Sequence, residues 1–290
     1  MSDRRAVSIR KYKVSSFRLC KTWLMISIAV SLGGCASTLN TAGNSETRKI
    51  ASTKKKDDLG TLKRVAVLTA KAGDLGRAEN VYSKLIELEP GLASHHVGLG
   101  KVQLKQGKIG SAKRSFAYAA SLEPQNMSAK LGNAQALLAQ RDNSAAMHAF
   151  NNLLEVQPSN VKALIGYGVS LDNLKRHNEA QEIYRKVLSV DANNRSARNN
   201  LGLSLALTGG FDEAIELLTE LTKERDSIPR FRQNLAIALA LSGDTKRASS
   251  MAAVDLSRDQ VAENMRALAI VREQKQAVVD KARTAEGANG

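Results

Sequence analysis

The sequence predicts an all-α fold: a solenoid of about six 34-residue helix-turn-helix units closed by a C-terminal capping helix. Three observations predict it. Alanine recurs at Ala78, Ala112, Ala146, Ala180, Ala214 and Ala248, each 34 residues after the last, and such a period marks stacked supersecondary units. Aromatics make up 4% of the 290 residues, while alanines number 40. Small side chains suit close-packed helices, whereas strands favour Val, Ile, Tyr and Trp. Prolines follow the same rule at Pro90, Pro124 and Pro158, with Pro229 opening the sixth unit.

The first segment reads as an address rather than a fold. Residues 1–21 hold seven basic residues against Asp3, and Thr22 to Leu32 form an uncharged apolar run. That run is shorter than the ~20 residues a membrane-spanning helix needs, but it suits a signal-peptide core. It ends in Leu32-Gly33-Gly34-Cys35. This ending resembles the lipobox of bacterial lipoproteins. The resemblance implies a signal peptide over 1–34 and a mature chain beginning at Cys35. It also implies a diacylglycerol on that thiol, an N-acyl chain such as palmitate, and no other cofactor. Ala36, rather than Asp, follows the cysteine and implies the outer membrane, periplasmic face. Residues 35–58 are Ser, Thr, Asn and Lys rich without apolar periodicity, so they are expected as a flexible tether.

Removing the leader changes the charge reading. The whole chain carries +15 and residues 1–34 carry +6, so the mature chain carries +9. Its basic residues are spread along helices, which argues against a nucleic-acid binder. An acidic partner segment or acidic lipid headgroups remain open. Cys20 leaves with the leader and Cys35 takes the lipid, so no disulfide framework is available.

Each unit then explains itself in order. Twelve residues before each recurring alanine stands a small residue: Ala66, Gly100, Ala134, Gly168, Gly202 or Ala236. Four residues after it stand Tyr82, Phe116, Phe150, Tyr184, Leu218 and Ala252. The small residue and the alanine are where the two helices of a unit meet, and the aromatic fills the space beside them. Gly73, Gly107, Gly209 and Gly243 are placed to end first helices in a left-handed conformation. The late prolines stop second helices.

These columns resemble the tetratricopeptide repeat (TPR) over residues 59–262, in units beginning at Leu59, Ala93, Met127, Val161, Arg195 and Pro229. Departures are Asn133 at an apolar position, Leu218 and Ala252 in the aromatic column, and Asp255 at a packing position. Ala252 and Asp255 mark unit six as a capping repeat with a worn outer face. A capping box, Ser257 to Gln260, starts a final helix expected over 257–285, fraying after about Gln276, with a disordered tail over 286–290.

No catalytic constellation is expected. Gly98-Leu99-Gly100-Lys101 lacks the first glycine of a phosphate loop and has no preceding strand. Four scattered histidines offer no metal site, and no carboxylate pair stands out as acid and base.

Function is expected in the groove instead. The TPR resemblance implies that positions 2, 5, 6, 9 and 12 of each first helix line a concave wall. Unit five offers Asn199 and Asn200, and unit six offers Arg230, Gln233 and Asn234. Asn200 and Asn234 are one repeat apart and either grip the backbone of an extended peptide or stand as solvent-facing residues without a role. Lys101 and Lys162, with Lys105 at the edge, add positive charge. Leu131, Leu138, Ile165, Val169 and Leu203 add apolar lining, a mixture suited to an amphipathic protein segment.

Lipobox, tether, six units and the ending Asp255-Leu256-Ser257…Val261…Asn264-Met265…Leu268…Arg272 together resemble the TadD-type TPR lipoproteins of the Flp (tight adherence) pilus assembly system. That resemblance implies a non-enzymatic, pilotin-like accessory whose partners are the outer-membrane secretin or other pilus components. The alternative is another envelope TPR lipoprotein, scaffolding outer-membrane protein insertion or cell-wall enzymes.

Overall fold

The computed structural model describes residues 44–225 and 227–287. The chain divides into two units, residues 1–50 and 51–290. The first is described over residues 44–50, which are helical. Cys35 and the expected leader lie outside the described residues.

The described residues form helices joined by short turns, with no strand among them. They are α1 (Asn44–Ala72), α2 (Leu75–Leu88), α3 (Ala93–Lys105), α4 (Ile109–Leu122), α5 (Met127–Ala139), α6 (Asn143–Val156) and α7 (Val161–Asn173). There follow α8 (His177–Val190), α9 (Arg195–Thr208), α10 (Phe211–Lys223), α11 (Pro229–Ser242), α12 (Thr245–Ala252) and α13 (Arg258–Gly287). Odd-numbered helices to α11 are the first members of each pair and even-numbered helices the second, as the period predicts.

The recurring alanines, from Ala78 to Ala248, are fully buried at 0% exposure. Phe116 shows why the neighbouring positions must be small. A Cβ added to Gly100 of its own unit would lie 2.7 Å from its ring, and one on Gly132 of the next unit would collide with the same ring. Phe116 therefore sits in a seat of two columns, the eighth position of its own unit and the sixth of the next, and the other aromatics each meet a glycine of one of these columns. Tyr82 meets Gly98, Phe150 meets Gly166 and Tyr184 meets Gly168 in this way.

The turns follow the same register. Gly73, Gly107, Gly209 and Gly243 adopt φ of +83°, +77°, +98° and +102°. Units three and four put Arg141 and Lys175 in that slot, each at φ +66°. Asn126, Asn160 and Asn194 cap α5, α7 and α9 by accepting the backbone N–H of Ala129, Ala163 and Ala197. Their 34-residue spacing is a further sign of the repeat, because a short side-chain oxygen satisfies an otherwise orphaned N–H.

First helices touch one another along the stack, in the pairs α3–α5, α5–α7, α7–α9 and α9–α11. Second helices make no comparable contact among the described residues. The stack therefore curves, with first helices on its inner side.

Three expectations change. The tether expected over 35–58 is helical from Asn44 onward. No glycine or proline interrupts residues 44–59, and extending a formed helix is far easier than starting one. The final helix runs to Gly287 rather than fraying after Gln276, since residues 273–286 are again free of glycine and proline and rich in strong helix formers. Asp255 does not mark a worn face: Arg232 holds it in a bidentate pair at 2.6 and 2.9 Å. The second helix of unit six stops at Ala252, and α13 packs on α11 and α12 through Met265 and Leu268. Its capping box is formed, with the Ser257 N–H donating to Gln260 Oε1 at 2.9 Å.

Candidate functional site

The inner face is built from the exposed sides of α3, α5, α7, α9 and α11. Lys101, Lys162, Arg230 and Gln233 are exposed, and Leu131, Ile165, Val169 and Leu203 are partly buried between them. Lys101 stands on α3 and Lys162 on α7, with α5 between them in the chain. Desolvation first, and then the charge of Lys162, lower the Lys101 pKa below the ordinary lysine value. Lys105 is exposed at the edge, where its Nζ donates to the Ala70 carbonyl at 3.3 Å.

The asparagines are arranged differently from the expected backbone-gripping pair. Asn234 is 8% exposed and Asn199 is 3% exposed. Asn234 Nδ2 donates to Asn199 Oδ1 at 2.8 Å, and Asn199 Nδ2 donates to Asn200 Oδ1 at 3.1 Å. Asn234 is thus a junction residue between units five and six. Buried amides take internal partners because an unmet one is costly. Asn200, half-buried, ends the chain of bonds as an acceptor.

A second polar cluster lies between units four and five and was not singled out from the sequence. Asp172 accepts from Tyr184 Oη at 2.9 Å, from Ser204 Oγ at 2.7 Å and from His177 Nδ1 at 2.8 Å. Burial, then the charge of Asp172 and their hydrogen bond, raise the Tyr184 pKa far above the ordinary tyrosine value, so the phenol stays a donor. The signal was the column itself: the twelfth positions otherwise read Ala70, Leu104, Leu138, Ala206 and Ala240. An open depression beside this cluster is lined by Lys175, Arg176, His177, Asn178, Glu179 and Thr208.

The remaining candidates are structural. His95 and His96 are both buried, so neither faces the groove. His95 pairs with Glu89 at 2.8 Å, and His96 stacks at a tilt on Tyr118 with ring centroids 4.4 Å apart. Among the described residues, no three His, Cys, Asp or Glu side chains gather as metal ligands, and no helix is long and apolar enough to cross a membrane.

With this geometry in hand, the tetratricopeptide-repeat family model matches residues 97–147, 131–197 and 174–227. The chain has the tetratricopeptide-repeat fold. A TPR protein from Parabacteroides merdae superposes with a TM-score of 0.56 at 20% identity, over 80% of this chain and 93% of that one. A thermophilic TPR protein from Thermus thermophilus gives 0.56 at 16% identity, over 62% and 98%. The structure of pilF from Pseudomonas aeruginosa gives 0.55 at 15% identity, over 68% and 90%. Likenesses at these identities establish the TPR fold. The sequence matches none of the curated proteins. TPR chains act generally as protein-binding scaffolds.

Proposed function

We propose that this TPR chain is a lipid-anchored scaffold of the outer membrane that assists assembly of a pilus secretin. The scaffold part rests on one observation, the continuous inner face formed by successive first helices. It presents apolar side chains between exposed cations and amides, the lining an amphipathic segment needs. The anchor is supported by Leu32-Gly33-Gly34-Cys35 behind a basic and then apolar leader. A lipid on Cys35 would hold the groove at the periplasmic face, where secretin subunits arrive. The Flp reading is supported by the ending from Asp255 to Arg272, whose helix packs back on unit six.

The test combines lipid and partner. Cys35→Ser should leave an unprocessed precursor that takes up no labelled fatty acid and no longer fractionates with the outer membrane. Secretin should co-purify with the wild-type protein from detergent extracts, and its multimers should fall in the Cys35→Ser strain. Unchanged labelling of the variant would remove the lipoprotein reading. Failure of wild type to capture secretin would move a different envelope scaffold ahead.

A further inference from the structure

The outer face of the second helices carries a charge pattern that the repeat does not require. Two residues after each recurring alanine, at the twenty-second position of each unit, stand Asn80, Arg114, His148, Glu182, Glu216 and Ser250. All six are exposed. Along the stack this column runs from basic to acidic and changes sign at its own midpoint, between α6 and α8. The neighbouring positions change with it: α4 and α6 hold one acid, Glu155, whereas α8 and α10 hold six. Arg114 reaches Ser111 Oγ in its own helix at 3.0 Å. Among the described residues, no ion pair holds Arg114, Glu182 or Glu216.

We infer that this outer face pairs back to back with a second copy of the chain, about a twofold axis running parallel to the helices between α6 and α8. Such an axis sets α4 against α10 of the other copy and α6 against its α8. Arg114 then stands opposite Glu216 of the second copy, and His148 opposite its Glu182. Both contacts recur on the other side of the axis, as a self-complementary surface demands. The arginine gives a charge-assisted bond to its carboxylate, and a histidine ring N–H donates to the other. Tyr118, 49% exposed on α4, comes opposite Glu220, which its hydroxyl suits as a donor. Val156 and Val190, 66% and 77% exposed, end α6 and α8 and so fall at the same height on the facing pair. Positions 18, 22, 25, 26 and 29 of these four helices oppose no like charges. An axis along the stack would instead set Arg114 on Arg114 and Glu182 on Glu182, so charge selects the first arrangement. Curvature parts the faces away from the axis, and the long side chains of Arg114 and Glu216 stand at that outer pair. Helices of this length run ~20 Å, and four of them ~10 Å apart present about 800 Å² per copy, the size of a standard contact. The inference goes beyond the scaffold reading and does not depend on it, since the inner face stays open in the pair.

The test uses the full chain carrying Cys20→Ser and Cys35→Ser, purified in non-ionic detergent so that no native thiol, lipid or apolar leader joins two copies. Sedimentation should show a concentration-dependent dimer that weakens as salt rises. Arg114→Glu with His148→Glu should raise the dimer dissociation constant by about tenfold or more, and Glu182→Lys with Glu216→Lys should do the same. All four positions are exposed, so the helical circular dichroism of both variants should be unchanged. Mixing the two variants should restore dimers, because every facing pair is again opposite in sign. In the same thiol-free background, a His148→Cys chain mixed with a Glu182→Cys chain should crosslink to it faster than either crosslinks to itself. A monomeric wild type overturns the inference and leaves the face to a different protein. Charge-reversed variants that still dimerise, or a mixture that stays monomeric, also overturn it. Faster crosslinking of His148→Cys to itself overturns the proposed axis.

Discussion

Asn234 and Asn199 are joined across the junction of repeats five and six by a 2.8 Å hydrogen bond between two buried amides. Either asparagine alone looks like a groove residue; together they are part of the stack. Asn234→Ala leaves the Asn199 carbonyl without its donor and should cost ~1–3 kcal/mol of stability. Combining it with Asn199→Ala should cost less than the two single losses added. Urea unfolding of the four proteins measures this coupling, and strictly additive losses would show that the pair contributes nothing as a pair.

The two-glycine seat makes a sharp prediction about methyl groups. Gly132→Ala drives a Cβ into the Phe116 ring and should destabilise by ~1–3 kcal/mol, as overpacking does. Gly76→Ala, inside α2 with nothing within 4 Å of the new atom, should stabilise by ~0.5–1 kcal/mol. Ala146→Leu, at a fully buried contact, should hurt more than Ala145→Leu one position along. Thermal melts that rank these pairs the other way would show the packing register to be misplaced.

Asp172 ties three side chains from two repeats, and its removal should be felt in both. Asp172→Ala leaves the buried hydroxyls of Tyr184 and Ser204 without an acceptor, at ~2 kcal/mol or more. Tyr184→Phe in that background should recover part of the loss, because it deletes one of the stranded donors. Amide exchange should then speed up at α7, α8 and α9 while α3 and α4 keep their protection. Uniform acceleration along the chain would contradict a local clasp.

Acid should weaken the N-terminal repeats through two paired carboxylates. Hydrogen bonds from Lys108 and Gln106 hold Glu79 below the ordinary carboxylate value, and those from Lys63 and His95 do the same for Glu89. A carboxylate with a lowered folded-state pKa stabilises the fold above its unfolded value, and that contribution disappears as pH falls through the folded value. The melting temperature should therefore decline as pH drops below about 4.5, the unperturbed value for these groups. Glu79→Gln with Glu89→Gln should flatten that decline. An unchanged slope in the double variant would assign the acid sensitivity to other groups.

Period and composition alone determine the helix pairs, the buried alanine column and the left-handed glycines, because each is a local demand repeated every 34 residues. Ala146 must be small wherever its unit sits, and Gly209 must turn the chain whatever packs beside it. Tertiary structure decided what lies between repeats. Gly132 seats the aromatic of the preceding unit, Asn234 turns inward to meet Asn199, and Asp172 is spent on Tyr184 and Ser204 rather than left in the groove. Residues 44–58 are helical although their composition alone suggests a tether. For Gly132, Asn234 and Asp172 the deciding partner lies in another helix. Burial at such a position is a property of two surfaces meeting, and a one-dimensional period describes only one of them.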